Sequence, residues 1–146
     1  MQAIPTFNQL VHGFRSIRIP NGALGAAVDI AVPVNEIWSP ISIYFTLNCS
    51  AAVADRYLIF VLGDTPNYGY RYQDSHAITA SQIRKVNLFQ GATPETPADI
   101  NASWQFPLPI NSFVGYPNNI TLGFQGFDAN DQFTGININT RTWLSI

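Results

Sequence analysis

The sequence predicts an all-β domain, an antiparallel β-sandwich of jelly-roll type with about eight to nine short strands. Three observations carry that expectation. Apolar and polar residues alternate with a period of two, as in Ile41, Ile43, Phe45 and Leu47 against Ser42, Tyr44, Thr46 and Asn48. Clusters of Gly, Pro, Asn and Asp interrupt the chain between these runs, which is how short strands are bounded. No segment has the apolar stripe at 3.6-residue spacing that marks an amphipathic helix.

Taken in order, residues 1–13 read as an irregular N-terminal arm broken by Pro5 and Gly13, with residues 14–146 forming one sandwich domain. Phe14 to Ile19 alternates and stops at Pro20-Asn21-Gly22, where Asn and Gly supply the positive φ of a tight turn. Ala27 to Val32 places Val28, Ile30 and Val32 on one face and Asp29 on the other. The run from Ile41 and the run Tyr57 to Leu62 are expected to form a long hairpin across the small-residue link Cys49 to Asp55. In the second run Leu58, Phe60 and Leu62 alternate with Tyr57, Ile59 and Val61, apolar on both sides. Tyr68, Tyr70 and Tyr72 share one face of a short strand, and Ile83 to Phe89 follows. Gln90 to Ala102 is a long connection expected to cross between sheets. Ser103 to Leu108, Ile120 to Gln125 and Ile136 to Trp143 complete the set, with Asp128 to Gln132 as a hairpin loop between the last two. The expected core includes Ile41, Ile43, Phe45, Leu58, Phe60, Leu62, Ile120, Leu122 and Phe124.

Composition narrows the function classes. Only 11% of residues are charged, against roughly 25% in ordinary soluble domains, while 47% are hydrophobic and 13% aromatic. Such a surface has little charge to guard its sheet edges, which favours a chain covered by copies of itself or by another protein. A homo-oligomer is expected, with the trimer as its state. The seven basic residues form no run and the pI is about 5.4, which argues against nucleic acid. No segment approaches the roughly 18–20 apolar residues of a membrane helix, and the first residues have no secretory pattern, so a protein made in the cytoplasm and free of the membrane is expected. Cys49 has no partner for a disulfide and reads as a buried residue at a strand end.

Signals for chemistry are thin, and no catalytic, cofactor or metal site is expected. His12 and His76 have no Glu or His at metal-ligand spacing, and the two glutamates, Glu36 and Glu95, lie far apart in the chain. Asp128, Asn130 and Asp131 offer oxygens at near-alternate positions but lack the glycine and the later acid of a calcium loop, so a turn is the plainer reading. Tyr68, Tyr70 and Tyr72 could stack against sugars, although β propensity alone also places tyrosines on a half-buried strand face. Asn-X-Ser/Thr triplets at Asn48, Asn101 and Asn119 are no more than an asparagine-rich chain supplies by chance.

The run Asn35-Glu36-Ile37-Trp38, the alternating strand from Ile41 to Leu47, and Ala51-Ala52-Val53-Ala54-Asp55-Arg56-Tyr57-Leu58 together resemble small virion proteins of tailed bacteriophages. The likeness continues through Ala80-Ser81-Gln82 and Pro107-Leu108-Pro109, so it covers roughly residues 14–144, with Asn35 where a glycine is commoner. It implies a jelly roll that decorates a phage particle, a cement protein that binds the major capsid protein on the outer shell and stabilises contacts between capsomers. The virion would be its place of work. Anchors for such partners are expected at Ile4, Phe7, Leu10 and Val11 in the arm and at Tyr68, Phe113, Tyr116 and Trp143 elsewhere. The second reading is a carbohydrate- or receptor-binding module of a tail or fibre, using the loops Gly63 to Gly69 and Asn111 to Asn118.

Overall fold

The structure is a computed structural model that describes residues 11–63, 69–99, 101–110 and 112–144. Ten strands run in chain order: β1 (Val11–Arg18), β2 (Val28–Ala31), β3 (Glu36–Asn48), β4 (Tyr57–Leu62), β5 (Tyr70–Gln73), β6 (Ile83–Gln90), β7 (Trp104–Leu108), β8 (Val114–Gly115), β9 (Asn119–Gln125) and β10 (Gln132–Leu144). They form two sheets. Sheet A has the order β1-β10-β3-β6-β7 with β8 alongside β3, and sheet B has the order β2-β9-β4-β5. The paths β1-β10-β3-β6 and β2-β9-β4-β5 are the two sheets of a jelly roll, in which the chain alternates between layers until β4 and β5 pair as a hairpin.

Sequence alternation fills the space between the sheets. Ile43, Phe45 and Leu47 of β3, Leu58 and Phe60 of β4, Val86 and Leu88 of β6, Ile120 and Leu122 of β9 and Ile138 of β10 have no exposed surface. Phe133 anchors an aromatic seam, with its ring 5.4 Å from Phe45 and 5.3 Å from Phe124. Such edge and offset contacts add to plain burial.

The structure departs from the sequence reading in several places. β3 and β4 do not form a hairpin, because they lie in opposite sheets and residues 49–56 arch from one layer to the other. The Asp128 to Gln132 segment is likewise an arch, from β9 in sheet B to β10 in sheet A. Alternation reports which face of a strand is dry and is silent on which strand pairs with it. Gln90 to Ala102 behaves in the opposite way, returning the chain to the same sheet so that β7 lies parallel to β6, from Val86 opposite Trp104 to Gln90 opposite Leu108. A parallel pair needs such a long connection. Strand β8 falls within the expected Asn111 to Asn118 loop, and β1 begins at Val11, so residues 11–13 are strand and not arm.

Two bulges set the register of the central pair β3 and β10. Thr134 opposes Thr46 and Asn137 opposes Tyr44, leaving Gly135 and Ile136 to face Phe45 alone. Gly135 has φ of 60°, the left-handed bulge conformation that glycine adopts at least cost. Further along, Asn139 opposes Ser42 and Thr140 opposes Pro40, so Ile41 is the extra residue. Pro40 has no N–H for the ladder, which is where a strand tolerates such an irregularity. The bulge turns Ile41 aside, and it is half-buried and not a core residue as expected.

Truncation of a central residue tests this packing. Phe60 is fully buried, with its ring 6.3 Å from that of Tyr70. Phe60→Ala is expected to lower stability by about 3–5 kcal/mol, read as an earlier urea midpoint with an unchanged slope.

Candidate functional site

Two regions concentrate interactions that packing alone does not require. The first is a polar knot closing one end of the core. Arg56 continues the inward row Leu58, Phe60, Leu62 of β4, and Asp131 continues the inward row of β10 ahead of Phe133. They meet between the sheets with both side chains fully buried, Arg56 Nε donating to Asp131 Oδ2 at 2.8 Å and Nη2 to Oδ1 at 3.1 Å. The rest of the guanidinium donates to Ala54 O, Ala52 O and Ser50 Oγ. Asp131 also accepts the backbone N–H of Ser50 at 2.8 Å and of Asp128 at 2.9 Å, while Ser50 Oγ donates to Asp128 Oδ1 at 2.7 Å. Burial pushes the Asp131 carboxyl up, but the hydrogen bonds from Arg56, Asp128 and Ser50 and the Arg56 charge outweigh it and hold it below its ordinary value. Asp128, Asn130 and Asp131 are thus occupied as turn and ion-pair acceptors. Cys49 lies beside this knot, and burial raises its thiol to about 11, so it stays protonated at neutral pH.

A second buried cation, Arg84, holds the connection between β6 and β7. Its guanidinium sits 5.3 Å from the Trp104 ring and donates to the carbonyls of Pro97, Ala98 and Asp99. Trp104 Nε1 donates to Pro97 O at 3.2 Å and so fixes the same segment.

The second region is the outward face of sheet A. Alternation and register place Phe14, Ser16 and Arg18 of β1, Asn137, Asn139, Arg141 and Trp143 of β10, Ser42, Tyr44 and Thr46 of β3, and Ile83, Lys85, Asn87 and Phe89 of β6 on it. Hydroxyls and amides link neighbouring strands, Asn137 Nδ2 donating to Ser16 Oγ at 3.2 Å and Asn139 Nδ2 to Ser42 Oγ at 2.9 Å. Phe14 is 69% exposed, and the Arg141 guanidinium lies 5.5 Å from its ring centre. Arg18, Lys85 and Arg141 are all exposed; among the described residues of these four strands no carboxylate shares the face with them, and exposed Glu95, bridged to Gln105 of β7, adds one at the rim of the sheet.

Of the anchors expected from sequence, Ile4, Phe7, Leu10 and Tyr68 lie outside the described residues, and Val11 opens β1 opposite Leu144. Phe113 and Trp143 are brought together, ring centres 5.3 Å apart, at the β8 end of this face, and Tyr116 is 59% exposed just past β8. Tyr70 and Tyr72 point inward against Phe60 and Phe106, so they form no outward platform. Burial raises both phenols above their ordinary value, helped at Tyr72 by the charge of Asp74. His12 lies in β1, while the His76 ring is edge-on to Trp104 with Nδ1 3.1 Å from Asp74 Oδ1. Sequence reading missed Phe14 and Arg141 as a pair and the Arg56–Asp131 bond, because partners 127 and 75 positions apart leave no local pattern. Among the described residues, no helix is long and apolar enough to cross a membrane. Comparison with protein-family models, with curated proteins and with solved structures finds no match to this chain.

The knot generates a pH prediction. The depressed Asp131 carboxyl contributes stability that is present above its unfolded value, about 3.9, and lost as pH falls through the folded value. Asp131→Asn is expected to remove that part of the acid dependence in chemical denaturation. Arg56→Ala is expected to cost about 3–5 kcal/mol near neutral pH, since it leaves a buried carboxylate without its cation.

Proposed function

We propose that this chain is a structural protein that works by surface contact, a bacteriophage decoration protein seated on the outer capsid through the outward face of sheet A. The observation that carries the reading is the make-up of that face: aromatic and amide side chains with three exposed cations against one carboxylate among the described residues, Glu95, bridged to Gln105 at its β7 rim. Such a face suits a partner surface rich in acidic and polar groups. A second copy laid face to face would bring like charges together, so the occupant is a different protein, the major capsid protein. The resemblance of residues 14–144 to small phage virion proteins, and the jelly-roll order that viral capsid and lectin domains share, support the same reading by analogy. Contacts between copies, in a trimer, would fall to the open sheet edges, among which β1 is eight residues long.

Purified protein mixed with undecorated shells of the phage that encodes it is expected to co-sediment in a fixed ratio, and less of it as salt is raised. Phe14→Asp and Arg141→Glu should each weaken retention by tenfold or more while leaving the far-UV spectrum unchanged, since burying Phe14 is worth about 1.5–3 kcal/mol. Retention unaffected by both substitutions would remove the docking face. Sedimentation of the free protein should show a species near three times 16.1 kDa, and a monomer at all concentrations would remove the trimer.

A further inference from the structure

The outward face of sheet B carries a polar pocket that docking through sheet A leaves free. On this face β4 presents Tyr57, Ile59 and Val61, β5 presents Arg71 and Gln73, and β9 presents Thr121 and Gln125. The register sets Gln73 opposite Ile59 and Gln125 opposite Tyr57, on the two sides of β4. Gln73 Nε2 reaches over the strand to donate to Gln125 Oε1 at 2.9 Å, and Arg71 Nη2 donates to Gln73 Oε1 at 3.0 Å. Because the guanidinium can only donate, this chain has one direction, and it ends at the two N–H donors of the Gln125 amide.

Beside the bridge lies a pocket of about 490 Å³ lined by Tyr57, Gln73, Asp74, Ser75 and Gln125. That volume falls within the roughly 300–1,000 Å³ of small-molecule sites. Asp74 is only 5% exposed and is held in place by His76, whose backbone N–H donates to Oδ2 at 3.1 Å and whose Nδ1 lies 3.1 Å from Oδ1. Each carboxylate oxygen retains a lone pair for a further donor. The lining therefore combines a fixed acceptor, directed amide donors, two hydroxyls and one aromatic ring.

This set discriminates among ligand classes. An anion would meet the Asp74 carboxylate, and the lining holds no Arg or Lys to offset it. A metal ion would find a single carboxylate in the lining, and an apolar ligand would strand the polar groups around it. A sugar ring offers hydroxyls that both donate and accept, together with a C–H face that can lie on an aromatic ring. We propose that this pocket binds a neutral saccharide, with Gln125 and Asp74 bonding its hydroxyls and Tyr57 against its ring. The inference takes up the carbohydrate reading with residues other than the loops expected to serve it, and it does not rest on docking through sheet A.

The test is titration of ¹⁵N-labelled protein with D-glucose, D-galactose, D-mannose, N-acetyl-D-glucosamine, N-acetyl-D-galactosamine and their common disaccharides, with sialic acid as the anionic control. At least one neutral sugar is expected to give saturable shifts at the backbone amides of Tyr57, Asp74, Ser75 and Gln125. Gln125→Ala, at an exposed position, should then weaken binding about tenfold with the remaining spectrum unchanged, which is the loss of one good hydrogen bond. Tyr57→Ala provides a second readout should the first substitution disturb the strand. No saturable shift across the panel, shifts centred elsewhere, saturation by sialic acid alone, or affinity unchanged in both variants would overturn the proposal.

Discussion

The Arg56–Asp131 ion pair is the constraint on which the arrangement of the two layers depends. A jelly roll passes its chain repeatedly from one sheet to the other, and each passage takes backbone polar groups past the end of an apolar core. Here two arches, residues 49–56 and 126–131, pass the same end side by side. Arg56 bonds the carbonyls of its own arch and the carboxylate of the other, and Asp131 answers with bonds to the N–H groups of both. An apolar pair could fill the same volume and could even be more stable, but it could not satisfy these groups or fix the separation of the arches. Gly126 shows how little slack remains: at φ of 78°, a side-chain carbon there would sit 2.2 Å from Asp55 O.

With that end fixed, the two outward faces take different chemical characters from the same alternation. On sheet A the outward positions are amides, hydroxyls and aromatics linked across strands. On sheet B the outward side of β4 is spanned by the Gln73–Gln125 bridge, which breaks the surface into a pocket. A chain mounted by one face would present the other. The docking and sugar-binding readings are therefore compatible, and each could fail without the other.

Much of the fold was legible in the sequence because burial writes itself as alternation. Leu58, Phe60 and Leu62, or Ile120 and Leu122, could be assigned to a core without knowing what they touch. Pairing was not legible in the same way. β3 followed by β4 looks like a hairpin since nothing local says that the link spans the thickness of the core, and the parallel pairing of β7 with β6 is decided by Arg84 and Trp104 gripping a loop between them. Ile41 was misplaced because one bulged residue shifts the phase of everything before it. The candidate sites were less legible still. Phe113 and Trp143 were singled out separately as exposed aromatics, and the structure shows them as a pair; Asp131 read as an ordinary turn acid when it is the most deeply buried acid described.

The charge distribution explains why composition alone understated the basic character of the outward face of sheet A. Seven basic residues spread along the chain suggested no cluster, yet folding removes two of them to the interior, Arg56 and Arg84, and a third, Arg15, bonds Glu36 at 2.9 Å. Three of the remaining four, Arg18, Lys85 and Arg141, fall on strands β1, β6 and β10 of one sheet and point the same way. Strands lie about 4.8 Å apart, so β1 and β6, three strand spacings apart, set Arg18 and Lys85 at least ~14 Å from each other. That exceeds the screening length of about 8 Å at physiological salt, so the cations repel one another weakly. A charge-poor chain thus acquires a directional face through topology, by placing few charges where the sheet order makes them count.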